Sequence, residues 1–124
     1  MRKNPLLVDT DVLIHYLNRR LYRSYLESEG WQVYYSTVTK RELLAKQGLS
    51  NRERRAIFFL LKRYRQVKIT QTIAVRYAEL RRQYPTLERE DALIAASALV
   101  RRMPLLTGNQ RHFCLVAGLD LLSL

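Results

Sequence analysis

Cysteine is nearly absent from this 124-residue chain, where Cys114 stands alone. One thiol excludes an internal disulfide, and with it the small secreted scaffolds that depend on such bridges. Without partners it builds neither a metal site nor a nucleophile site, so Cys114 is expected to be a small buried hydrophobe. Histidine is scarce too: His15 and His112 are the only two, and neither has an obvious partner in the sequence. Long apolar runs are missing. The longest segment of note, AIFFLL at 56–61, is flanked by Arg54, Arg55, Lys62 and Arg63 and falls far short of the roughly 20 residues of a membrane span. The opening MRKNPLLV is basic, but Asp9 cuts its apolar run, unlike a secretory leader. These absences predict a cytoplasmic protein with no membrane contact. No repeat, low-complexity tract or linker divides the chain, so residues 1–124 are expected to form a single domain. At this size a chain buries roughly two-thirds of its unfolded surface without a covalent staple.

Negative charge is also in short supply. Eleven Asp and Glu face 22 Lys and Arg, for a formal net charge of +11. Lys3, Lys40, Lys46, Lys62 and Lys68 are the only lysines, so arginine carries most of the excess. Its planar fork suits phosphate oxygens. A polyanion is the natural partner of such a surface. Nucleic acid is the first expectation, an acidic protein the second and a merely solubilising surface the third.

Hydrophobic periodicity alternates between strand and helix. Leu6–Val8 reads as a short strand, and Thr10 is placed to cap the helix DVLIHYLNRR. LYRSYLESEG continues as a second helical piece that stops at Gly30. WQVYYS is a second strand. Thr39-Lys40-Arg41-Glu42 and Ser50-Asn51-Arg52-Glu53 both have capping-box spacing, and the second opens AIFFLLKRY. QVKIT predicts a third strand, and TIAVRYAELRRQY a helix that stops at Pro85. Asp91 begins DALIAASALV, apolar nearly all round and therefore a buried helix. LLT at 105–107 is a further strand, and the tail adds a helical turn and a last small strand. Strands separated by helices predict an α/β fold with a parallel sheet. The functional crevice of such sheets lies outside the carboxyl ends of the strands.

Asp9 closes an apolar strand, where a carboxylate is costly unless its charge is compensated. Glu42, Asp91 and Asn109 fall near the same end of the predicted sheet. Carboxylates gathered without a base repel one another and hold either protons or a cation. Hard cations such as Mg²⁺ and Mn²⁺ prefer oxygen ligands and can drive hydrolysis of a phosphodiester. Each residue also has a local explanation. Glu42 fits a capping box, Asp91 a helix cap, and Asp11 a favoured charge in a first helical turn, one turn from His15. The residues alone leave both readings open.

LLVDTDVLI, STVTKREL, REDALIAASAL and PLLTGNQRHF, in this order, resemble the motif series of PIN-domain ribonucleases, in particular the VapC toxins of toxin–antitoxin pairs. The resemblance runs from residue 6 to about residue 119. Each motif is short, and the specificity lies in the four together at these separations. It implies a three-layer α/β/α domain with a central, mostly parallel sheet and an acidic Mg²⁺ or Mn²⁺ site that cleaves RNA. The family's first, second and third acids fall on Asp9, Glu42 and Asp91, which the resemblance makes the metal ligands. Thr107 matches the hydroxyl that supports them. The fourth position, acidic or amide in the family, falls on Asn109, which adds no charge. The resemblance further implies a cognate antitoxin and a homodimer.

Two other functions compete. Asp-Thr-Asp-Val-Leu also resembles the nucleophile motif of haloacid dehalogenase-like phosphatases, with Asp9 attacking phosphorus. That family needs a later lysine, and none follows Lys68. A non-catalytic basic RNA-binding module is the second rival. The tyrosines suit core or interface better than base stacking, and His112 suits packing or capping. AIFFLL, too apolar for one helix face, is expected to supply a contact surface.

Overall fold

The computed structural model describes residues 2–124. Strand β1 (Asn4–Val8) leads into helix α1 (Thr10–Arg19) and the single turn α2 (Arg23–Leu26). Next come β2 (Trp31–Ser36), α3 (Thr37–Leu44), α4 (Asn51–Leu61) and β3 (Arg65–Val67). Two long helices follow, α5 (Gln71–Gln83) and α6 (Arg89–Arg101), then β4 (Leu105–Leu106), α7 (Gln110–Phe113) and β5 (Leu121–Leu122).

All four pairings are parallel, in the order β3-β2-β1-β4-β5. The first three strands step outward on one side of β1, and the chain then crosses to place β4 on the other. The order therefore reverses between β1 and β4, the switch point where sheets of this kind bind ligands.

Both faces of the sheet are covered, as parallel pairing requires. Leu6 and Val8 of β1 pack with Val12 and Leu13 of α1 and with Ile57, Leu60 and Leu61 of α4. Leu7, between them, points the other way, into a core with Ile73, Leu80 and Ile94. This alternation divides one strand between two helical layers, giving the expected α/β/α arrangement. Ala92, Ala95, Ala96, Ser97 and Ala98 are all buried in α6, and their small size lets that helix lie close to the sheet and to α5. Among the described residues, no helix is long and apolar enough to cross a membrane.

Several local expectations are corrected. Asp9, not Thr10, caps α1, because its Oδ1 accepts from the Thr10 amide. Thr39 and Glu42 form no capping box: α3 starts earlier, with Ser36 accepting from the Val38 amide. The Ser50–Glu53 capping box is present with both bonds. Asp91 is not the cap of α6 but lies within its first turn, after Glu88 in the cap position. Cys114 is exposed rather than buried, since Phe113 and Val116 take the inward positions of that turn.

Candidate active site

The carboxyl end of β1 meets the carboxyl end of β4 at the switch point. The Asp9 amide donates to Leu106 O at 2.9 Å, which locks the two strand ends together. Asp9 is 4% exposed, and both its side-chain oxygens are engaged. Oδ1 accepts from the Thr10 amide and Oδ2 from Thr107 Oγ1, each at 2.8 Å. Burial, and then the charge of Asp11, push the Asp9 carboxyl up to about 6, against the opposing hydrogen bonds from Thr107 and Thr10. Thr107 is itself fully buried. Its hydroxyl also accepts from the Asn109 amide at 2.9 Å, which turns the chain into α7.

Asp91 reaches the same region from α6. Burial raises its carboxyl to about 6, with Asp9 as the second cause, and the nearby His112 pulls it down. Two acids from distant parts of the chain thus share one electrostatic field. His112 Nδ1 lies 3.5 Å from Asp91 Oδ2 with its own side chain 56% exposed. Packing and capping do not describe it: it sits on the site's rim against an acid.

Glu42 is exposed and joins the group through Thr10. The buried Thr10 hydroxyl donates to Glu42 Oε1 at 2.8 Å and lies 2.9 Å from Thr39 Oγ1. Thr10 therefore serves both acids, its amide to Asp9 and its hydroxyl to Glu42. Asn109 is exposed, and its side chain makes no cap to α7.

Three further groups complete the site. Asp11 Oδ1 is buried without a hydrogen-bond partner among the described residues, and Asp11 does not turn outward to solvent as a simple helix-end charge would. A Cβ built on Gly108 would stand 2.8 Å from Asp11 Oδ2 and 3.0 Å from the Tyr22 hydroxyl. The lack of a side chain at 108 is what admits both groups. Tyr22 adopts φ 67, a left-handed conformation that costs a bulky residue on the order of 1 kcal/mol. The sequence hinted at Asp11, which shares the apolar run of Asp9. Tyr22 lies in the helical piece LYRSYLESEG and Gly108 in the motif PLLTGNQRHF, but nothing local in either stretch marks a contact with Asp11.

Among the described residues, no three His, Cys, Asp or Glu side chains are gathered closely enough to hold a metal ion by themselves. That excludes an all-protein cage but fits Mg²⁺ or a similar hard cation, which is held by one or two carboxylates with waters and substrate phosphate. The raised carboxyls of Asp9 and Asp91 and the orphaned oxygen of Asp11 are all relieved by added positive charge. The residues present fit such an ion.

Comparison with known proteins identifies the family and agrees with the fold. Residues 6–119 match the family model of the PIN domain. Ribonuclease VapC10 of Mycobacterium tuberculosis is 33% identical over 120 residues, covering 87% of this chain and 85% of that protein. Ribonuclease VapC1 of Methanocaldococcus jannaschii is 28% identical over 116 residues, covering 90% and 80%. Among solved structures, a toxin–antitoxin complex from Klebsiella pneumoniae aligns with TM-score 0.78 and 31% identity, over 92% of this chain and 94% of that one. VapBC2 from Rickettsia felis, solved bound to a DNA fragment from its promoter, aligns with TM-score 0.86 over 97% and 98%. Its 19% identity speaks for the fold alone.

Proposed function

The chain belongs to the PIN domain family, and from that premise we propose that it is a metal-dependent endoribonuclease, the toxin of a VapBC-type toxin–antitoxin pair. Its relatives are ribonucleases by name. The observation that carries the reading is the placement of Asp9 at the switch point: buried, gripped by Thr107 and Thr10, and raised by that burial and by the charge of Asp11.

We assign Asp9 and Asp91 to hold a divalent cation, Mg²⁺ or Mn²⁺, directly or through water. When bound, such a cation supplies charge neutralisation at the scissile phosphate and makes water a better nucleophile. Thr107 fixes the orientation of Asp9. Glu42, steadied at Oε1 by Thr10, presents its other oxygen to ligate or to accept a proton from the attacking water. Asn109 stands at the mouth of the site, where its amide orients waters and neighbouring side chains. Arginines hold the RNA backbone and make binding fall with salt.

The reading extends to partners. RNA is the substrate, a cognate antitoxin covers the acidic site, and a second copy of the chain completes a homodimer, all in the cytoplasm. Phe58 and Phe59 are 44% and 73% exposed, a surface for one of the protein contacts. The phosphatase alternative is weaker: both oxygens of Asp9 accept hydrogen bonds, and no lysine follows Lys68. A passive RNA-binding module gives no reason to aim Asp9 and Asp91 into one field.

Incubation of purified protein with total RNA tests the proposal. Cleavage with Mg²⁺ or Mn²⁺, stopped by excess EDTA, is expected. RNA left intact under every metal condition, with the protein folded, would defeat it.

A further inference from the structure

The proposed reaction has a gap at its fourth acid, and an unused acid stands beside that gap. Asn109 carries no charge and lies exposed at the start of α7. Asp11, one residue into α1 beyond Thr10, has its Oδ2 in the space that a side chain at Gly108, between Thr107 and Asn109, would fill. Its other oxygen, Oδ1, is buried with no partner among the described residues.

A charge favoured by the helix N-terminus accounts for an acid in the first turn of α1. It does not account for burying one oxygen without a donor, since an outward-facing carboxylate would satisfy the helix equally well. A buried acceptor left unpaired costs roughly 1–3 kcal/mol, and Asp11 adds repulsion toward Asp9. Both penalties fall on the protein without a bound cation, and both are relieved when positive charge sits between the two aspartates. The bare Cα of Gly108 leaves room for this arrangement, since a Cβ there would stand 2.8 Å from Asp11 Oδ2.

We propose that Asp11 is the fourth acidic group of the cation site, standing in from α1 for the charge that Asn109 lacks. This inference rests on the metal-dependent reading above. Asp11 acts with Asp9 on the cation, directly or through water.

Calorimetric titration with Mn²⁺ alone, without RNA, tests it in the wild type, Asp11→Asn and Glu29→Gln. Asp11→Asn is expected to weaken Mn²⁺ binding roughly tenfold or more, in the range seen when groups supporting a metal site are removed. Glu29→Gln, which removes an exposed acid at the amino end of β2, should stay within about twofold of the wild type. In EDTA, Asp11→Asn should melt at or above the wild-type temperature, because an unpaired charge has been replaced by an amide able to donate. Wild-type affinity in Asp11→Asn overturns the inference. So does a lower melting temperature of that variant in EDTA, which would make Asp11 a structural residue. Should Asp11→Asn fail to fold, Asp11→Ser gives the same comparison. A wild type that binds no Mn²⁺ overturns the metal-dependent reading itself and this inference with it.

Discussion

Thr107 Oγ1 donates to Asp9 Oδ2 at 2.8 Å, joining residues 98 positions apart in sequence. The bond spans the point where strand order reverses between β1 and β4, so it both closes the fold there and orients the principal acid. Thr107→Val keeps the shape and removes the donor. Activity should fall roughly 10–100-fold, while Thr107→Ser should retain most of it. Steady-state cleavage of a labelled RNA checks this. Equal activity in Val and Ser variants would show that the hydroxyl does not matter.

Glu42 tests a separate link. Its Oε1 accepts from Thr10, and Glu42→Gln preserves that acceptor while removing the charge. The melting temperature should stay within a few degrees, as for most exposed substitutions. RNA cleavage should drop at least about tenfold, as expected for loss of a group that handles the water's proton. A variant that cuts like the wild type would confine Glu42 to a structural role.

The pH dependence has a definite sign. Asp9 and Asp91 are each raised from 3.8 to about 6 in the fold. A raised carboxyl binds its proton more tightly folded than unfolded, so its stabilising effect is full below the unfolded value and lost as pH rises through the folded one. Without metal, these two groups should make the protein less stable between about pH 4 and pH 7, by on the order of 2–3 kcal/mol per group, less where water screens them. Chemical denaturation in EDTA across that range measures it, with Asp9→Asn and Asp91→Asn expected to flatten the trend. With Mn²⁺ present the trend should reverse, because deprotonated ligands bind the ion. Stability rising with pH in EDTA in the wild type, but not in those variants, would contradict the assignment.

Exposed Phe58 and Phe59 lie on the outer face of α4. Replacing both with serine removes no core packing, so the melting temperature of the isolated chain should change little. Self-association or antitoxin binding should weaken instead, as seen by analytical ultracentrifugation and by titration with the antitoxin. Wild-type behaviour in both assays would leave these phenylalanines without a partner.

Much of this architecture was legible from local chemistry. The alternation of Leu6, Leu7 and Val8, the helical spacing in α1 and α4 and the Ser50–Glu53 box each act over a few residues, and periodicity exposes them. The topology follows from strands separated by helices. Convergence at the site was harder. The Thr107–Asp9 bond and the shared field of Asp9 and Asp91 arise only when distant segments meet, and the motif order, not periodicity, pointed to them. The capping assignments at Thr10 and Thr39 missed for one physical reason. Both hydroxyls turn inward to each other and, through Thr10, to Glu42, leaving the caps to Asp9 and Ser36. Asp11 does lie in the first turn of α1, but its buried oxygen was not legible, because the glycine that accommodates its side chain lies 97 residues away, at Gly108.

Asp9 and Asp91 are proposed to serve one cation-dependent site that cuts RNA. The most direct measurement compares wild type, Asp9→Asn and Asp91→Asn on the same RNA with Mn²⁺, after circular dichroism shows that all three fold. Cleavage by the wild type alone is expected, and none by either variant at any Mn²⁺ concentration. Undiminished cleavage by both folded variants would contradict it.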